Sequence, residues 1–208
     1  DKFAQYVAEK DINKNIIIAR DHGGPWQNNQ EKHNNLNLED AMQSAKDSYK
    51  ADIDAGFHML HIDPSVDIHS QPSTDQILER VYELYDFCWS YAKQKKQDII
   101  FEIGTEEQSG STNTQEELEY TLEKMRTFCA LNKLPYPSFV VIQAGTRVME
   151  TQNVGSFDSP VRVVNELPPE IQIPRMIAIC NKYKILMKEH NTDYHSTESL
   201  RWQPRLGI

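Results

Sequence analysis

The stretch Asn15–Trp26, NIIIARDHGGPW, decides how the rest of the chain is read. Its three consecutive isoleucines predict a strand over 15–19, because β-branched side chains fit a pleated, buried surface. The Gly23-Gly24-Pro25 that follows is turn punctuation. Asp21 and His22 therefore fall at the carboxyl end of a strand, which in parallel α/β folds is where ligands bind.

Outward from this point the same alternation recurs. Residues 1–10 space Phe3, Tyr6 and Val7 as the end of a helix. Residues 36–55 carry a helical stripe of Leu38, Met42, Ala45, Tyr49 and Ile53, with Asn37 as its cap and Gly56 closing it. A second strand, FHMLHIDPS, covers 57–65, and a long helix covers 74–96. A third strand covers 98–106, ahead of a polar loop at 107–113 and a helix over 114–131. The fourth strand is SFVVIQAGT, 138–146. An irregular, proline-bearing segment fills 150–173, a helix follows over 174–182, and the fifth strand is KILMKEHNT, 184–192. Residues 196–202 open another helix. Five apolar strands alternate with helices and no hairpin signal interrupts them, which predicts an α/β fold with a parallel sheet covered by helices, in one domain over 1–208.

Composition narrows the function. The 208 residues include 31 acidic and 22 basic side chains, a formal net charge of −9, which disfavours nucleic-acid binding through phosphate neutralisation. No run of about 20 apolar residues exists to span a membrane. Cys88, Cys129 and Cys180 are widely spaced and read as buried, reduced thiols of a cytoplasmic protein.

The unusual polar residues gather where the strands end: Asp21 and His22; His61, Asp63 and Ser65; Glu102, Thr105 and Glu106; Gln143 and Thr146; His190, Asn191, Thr192 and Asp193. Each has an ordinary explanation. A histidine at a strand end is commonly structural, and an aspartate before a turn commonly forms an Asx-turn. Recurrence at five successive strands favours a shared pocket, as in a (β/α)₈ barrel. Imidazoles with a carboxylate suit a divalent metal, zinc foremost, with His22, Glu102 and His190 as the ligand candidates. Such a metal can polarise a sugar carbonyl and stabilise an enediolate, with Asp21 and Asp63 as proton carriers. Ser65, Thr105, Gln143, Asn191 and Asp193 are the candidates for holding substrate. No P-loop, dinucleotide-binding glycine motif, CxxC pair or nucleophile elbow is present.

The segments DHGGPW (21–26), LHIDPS (60–65), EIGTEE (102–107), VIQAG (141–145) and EHNTDY (189–194) together resemble the family of the non-catalytic subunit of D-tagatose-1,6-bisphosphate aldolase, also known as tagatose 6-phosphate kinases. The resemblance implies a TIM barrel related to class II aldolases, with these five strands as the third to seventh of eight. The barrel is then expected to be incomplete here, a fragment of a longer chain. It implies that His22 and His190 match two zinc histidines of the catalytic aldolases and that Asp21 matches their proton donor. The third histidine is expected within 138–146, where this chain has Gln143-Ala144-Gly145-Thr146. Two expectations follow. One is a stabilising subunit bound to a catalytic aldolase. The other is a metal-dependent enzyme, such as a C4 epimerase, acting on a ketose or sugar phosphate.

Overall fold

The computed structural model describes residues 2–104, 114–142, 147–149, 152–154, 167–189 and 194–208, and the chain forms two compact units. Five parallel strands alternate with helices along the chain, the α/β arrangement predicted from the sequence. Among the described residues no helix is long and apolar enough to cross a membrane.

The first unit comprises Asp1–Thr105 and Phe128–Pro137. It contains α1 (Lys2–Lys10), β1 (Ala19–Gly23), α2 (Asn29–His33), α3 (Leu38–Asp54), β2 (Met59–Ile62), α4 (Thr74–Lys95) and β3 (Ile100–Ile103). The strand expected over 15–19 forms later in the chain, as β1. Ile16 and Ile17 are exposed and only Ile18 is buried. The cause is local competition for backbone donors: the Asp11 carboxylate accepts the amides of Asn15 and Ile16 at 3.0 and 2.7 Å. Pairing starts only where the Ile18 carbonyl accepts the amides of His58 and Met59.

From there β1 runs parallel to β2, Ala19 opposite Met59 and Arg20 opposite Leu60, and then Gly23 opposite Ile62. Asp21 and His22 thus stand against the single residue His61, which is the two-against-one count of a β-bulge. His22 takes φ 39°, outside the strand region, to make it. β2 and β3 pair without a shift, which sets His61 directly beside Glu102. Alternation then sends Leu60 and Phe101 to the opposite, helix-covered face, where the Phe101 ring stacks on Tyr85 of α4 at 3.8 Å.

The helices of this unit follow their sequence signals. Asn37 caps α3 by accepting the Asp40 amide, and Ala41, Met42, Ala45, Tyr49 and Ile53 are its buried stripe. Ser73 and Gln76 close a reciprocal capping box on α4. The short α2 has no counterpart among the predicted elements. Its five residues are too few to carry an apolar stripe, and Asn28 holds its start.

The second unit comprises Glu106–Thr127 and Ser138–Ile208. Here β4 (Phe139–Ile142) pairs in parallel with β7 (Leu186–Glu189), and α6 (Pro169–Tyr183) and α7 (Thr197–Leu206) flank β7 in the chain. Helix α5 (Gln115–Asn132) spans the boundary between the two residue sets. Helix α6 starts five residues before the predicted 174. Pro169 occupies its first position, where a missing amide hydrogen costs nothing, and Pro174 is carried inside the helix. The buried stripe Pro169, Gln172, Ile173, Met176, Ile179, Cys180 and Tyr183 keeps helical spacing across Pro174, so tertiary burial overrides the local signal. β5 (Arg147–Met149) and β6 (Gln152–Val154) pair as an antiparallel hairpin, for which the sequence carries no signal. Its intervening Glu150-Thr151 lacks the Asn and Gly residues that mark such turns in sequence.

Candidate functional site

The polar residues of the first unit meet at the bulge. The His22 amide, displaced from the regular ladder, donates to His61 Nδ1 at 3.3 Å. His61 is fully buried, and its Nδ1 also lies 3.2 Å from Glu102 Oε1, another fully buried atom pair on the same sheet face. One ring nitrogen cannot both accept from the amide and donate to the carboxylate, so the two contacts exclude each other at any instant. Asp21 Oδ1 approaches the same nitrogen at 3.8 Å, while most of the Asp21 side chain faces solvent. The His22 and His61 rings lie 5.0 Å apart, centroid to centroid.

Asp63 anchors the group from the loop after β2. Its Oδ2 meets His22 Nδ1 at 2.7 Å and accepts from Gln27 Nε2 at 3.1 Å. Its Oδ1 accepts the Ser65 hydroxyl at 2.5 Å and the Ser65 amide at 3.2 Å. All four lone-pair directions of the carboxylate are thereby engaged. Burial works against its ionisation. The His22 hydrogen bond, the nearby His61 and the Ser65 hydroxyl outweigh that and hold the carboxyl below its ordinary range.

Two glycines allow this convergence by close approach. A Cβ at Gly24 would run into the backbone carbonyl of Asp63, and one at Gly23 would enter the Tyr49 ring. Tyr49 in turn donates its hydroxyl to the His61 carbonyl at 2.8 Å, tying α3 to β2 beneath the site. Burial pushes the Tyr49 phenol well above its ordinary value, so it stays a donor. Trp26 is fully buried at φ 56°, fixed by its indole bond to the Leu36 carbonyl at 2.9 Å. That anchor holds the turn after Pro25 in place.

Among the described residues, His22, His61 and Asp63 are the group whose ligand atoms lie close enough to share a metal, all within 4.8 Å of one another. The structure therefore brings together Asp21, His22, Asp63, Ser65 and Glu102 of the predicted site and adds His61. His61 stands among the strand-end polar residues of the sequence but not among its ligand candidates. Its spacing of two from Asp63, across the end of β2, is the signal that could have found it. Thr105, Gln143, His190, Asn191 and Asp193 lie outside the described residues. His69 bonds the Leu36 carbonyl and packs edge-on against Trp26.

A family model described as D-tagatose-1,6-bisphosphate aldolase subunit GatZ/KbaZ-like matches residues 2–203. Among solved structures, the chain is similar to a protein described as a probable tagatose 6 phosphate kinase from Sinorhizobium meliloti 1021, with TM-score 0.72 and 21% identity. That match covers 99% of this chain and 50% of the other, so the chain spans about half the length of the structure it matches. A candidate phosphonomutase from Burkholderia cenocepacia J2315 matches with TM-score 0.46 and 12% identity, over 99% of this chain and 72% of that one. The first likeness supports the α/β fold class, in which five parallel strands alternate with helices along the chain.

Proposed function

The chain belongs to the D-tagatose-1,6-bisphosphate aldolase subunit GatZ/KbaZ-like family, and from that premise we propose that it serves carbohydrate metabolism as a non-catalytic subunit that binds and stabilises a catalytic aldolase chain. The family match over residues 2–203 carries this reading. The absence of any histidine from 138–146 supports it, since a zinc site of the class II aldolase type uses three imidazoles. Three buried free thiols suit a reducing compartment, and we assign the chain to the cytoplasm. The test is to mix the purified protein with a catalytic aldolase subunit. A rise in the partner's melting temperature or aldolase activity is the expected result. No change in either sinks the reading.

A second reading rests on the buried group itself. A scaffold has no use for His61, Asp63 and Glu102, all fully buried at the adjoining ends of β2 and β3, because buried charge is costly unless paired or used. His22 and His61 fit a divalent metal, zinc foremost. Asp63, with every lone pair engaged, suits the task of orienting His22 through Nδ1, which leaves the far ring nitrogen to ligate. A metal held there would polarise a ketose carbonyl. Asp21, exposed at the rim, is placed to carry a proton, and the substrate would be a ketose or ketose phosphate undergoing C4 epimerisation or aldol-type cleavage. About one zinc per chain, lost in His22→Ala and His61→Ala, supports this reading. No bound metal after zinc addition overturns it.

A further inference from the structure

The bond between His22 and Asp63 joins the turn after β1 to the loop after β2, and one side chain of α4 reaches both segments. Arg80 is 8% exposed, and its Nη1 reaches the carbonyl of Pro64, the residue after Asp63, at 3.5 Å. Its guanidinium lies over the ring of Trp26 in the other segment, 5.6 Å from the ring centre. Its Nη2 meets Asp67 Oδ2 at 2.6 Å, and both of these side chains are more than nine-tenths buried.

Asp67 carries the constraint along its own loop by accepting the amides of His69 and Ser70 at 2.8 and 3.0 Å. His69 then bonds the Leu36 carbonyl, the same oxygen that accepts the Trp26 indole N–H. The two segments are thereby closed into one ring of contacts with Arg80 at its hub. Holding a helix to a sheet does not require this. A buried guanidinium is expensive to desolvate, and an apolar side chain of α4 would pack against Trp26 without that penalty. What an apolar side chain lacks is direction. The planar fork presents donors along fixed vectors and lies on an aromatic face at the same time, so it sets two backbones relative to each other. Those backbones carry His22 and Asp63.

We propose that Arg80 is a positioning residue: through Pro64 and Trp26 it fixes the two segments relative to each other, and so locks the His22 ring on Asp63 with Nδ1 protonated. The inference rests on the reading that the far nitrogen of His22 ligates a metal, and it extends the support of that ligand to a residue of α4.

The test is nitrogen-15 NMR of the metal-free protein at a pH where imidazole is neutral, which reads the His22 tautomer from its two ring nitrogens. Zinc titration and thermal melts follow on the same samples. Wild-type His22 is expected as one tautomer, protonated at Nδ1. Arg80→Met is expected to mix the tautomers, weaken zinc binding about tenfold and lower the melting temperature. Arg80→Lys separates position from stability. Lysine restores the charge opposite Asp67 but has neither the fork nor the flat face. The melting temperature is therefore expected to recover while the tautomers stay mixed and zinc binding stays weak. Should Arg80→Met fail to fold, the lysine variant supplies the decision. A single Nδ1-protonated tautomer in Arg80→Lys, with wild-type zinc affinity, overturns the inference and leaves Arg80 as a structural charge. So does a wild type whose His22 ring already mixes tautomers. A wild type with one tautomer, disturbed in Arg80→Lys, that binds no zinc overturns the metal reading alone.

Discussion

His22 and Asp63, 41 residues apart in the chain, meet at 2.7 Å between Nδ1 and Oδ2. The contact joins an irregularity in one strand to the loop after its neighbour. It also couples charge to fold, because Asp63 is fully buried while His22 is about a third exposed.

Asp63→Asn is expected to destabilise the protein by about 2 kcal/mol near neutral pH, through loss of charge-assisted hydrogen bonds to His22 and Ser65. The pH dependence has a definite sign. The folded-state pKa of Asp63 lies below its ordinary 3.8, so its contribution is complete above that value and is lost as pH falls through the lower folded value. Urea denaturation of both proteins from pH 7 down to pH 3 should show the gap between them narrowing only at the acid end. A gap that is constant with pH would exclude the ionised pair as its source.

Gly24→Ala is expected to cost about 1–3 kcal/mol, since the new methyl group enters the Asp63 carbonyl and rigid backbone must yield. Gly56→Ala meets open space and suffers only from its φ of 85°, so its cost should stay near 1 kcal/mol. Thermal melts of the two variants give the comparison. Equal losses would show that close approach to Asp63 is not what Gly24 provides.

Tyr49→Phe removes the hydroxyl that donates to the His61 carbonyl at 2.8 Å in a fully buried setting. A loss of about 1–2 kcal/mol in chemical denaturation is expected, from the carbonyl left without that donor. Zinc affinity measured on the same variant should fall as well, because β2 positions His61. Unchanged stability would mean the carbonyl finds a donor elsewhere.

Cys88, Cys129 and Cys180 are all buried and free. Burial raises each thiol above its ordinary value, Cys129 to about 11 and Cys180 to about 12. Thiolate is therefore scarce at neutral pH, and an aromatic disulfide reagent should label almost none in the folded protein and all three after denaturation. Rapid labelling of a folded thiol would contradict the packing of its helix.

Legibility in the sequence follows the strength of each periodic signal. The stripes of α3 and α4 are long, capped and regular, and both helices form within two residues of their predicted ends. The isoleucine run misled by a few residues, because strand propensity carries no information about the partner, and Asp11 captures the amides where pairing was expected to begin. Pro174 misled for a similar reason, with burial of Ile173 and Met176 outweighing a local break. Among site residues, Asp21, His22, Asp63, Ser65 and Glu102 are legible as strand-end polar groups. The bulge is silent, since nothing in ARDHG shows that two residues will face one.

That extra residue in β1 has a consequence for the protein's history. Deleting Asp21 would let β1 and β2 pair without interruption and would relieve the left-handed backbone at His22. The more regular sheet would lose the turn of the backbone that aims His22 at Asp63. Selection for robustness alone would therefore erase the irregularity, and engineering this chain for heat resistance by smoothing its strands would discard whatever chemistry the irregularity serves.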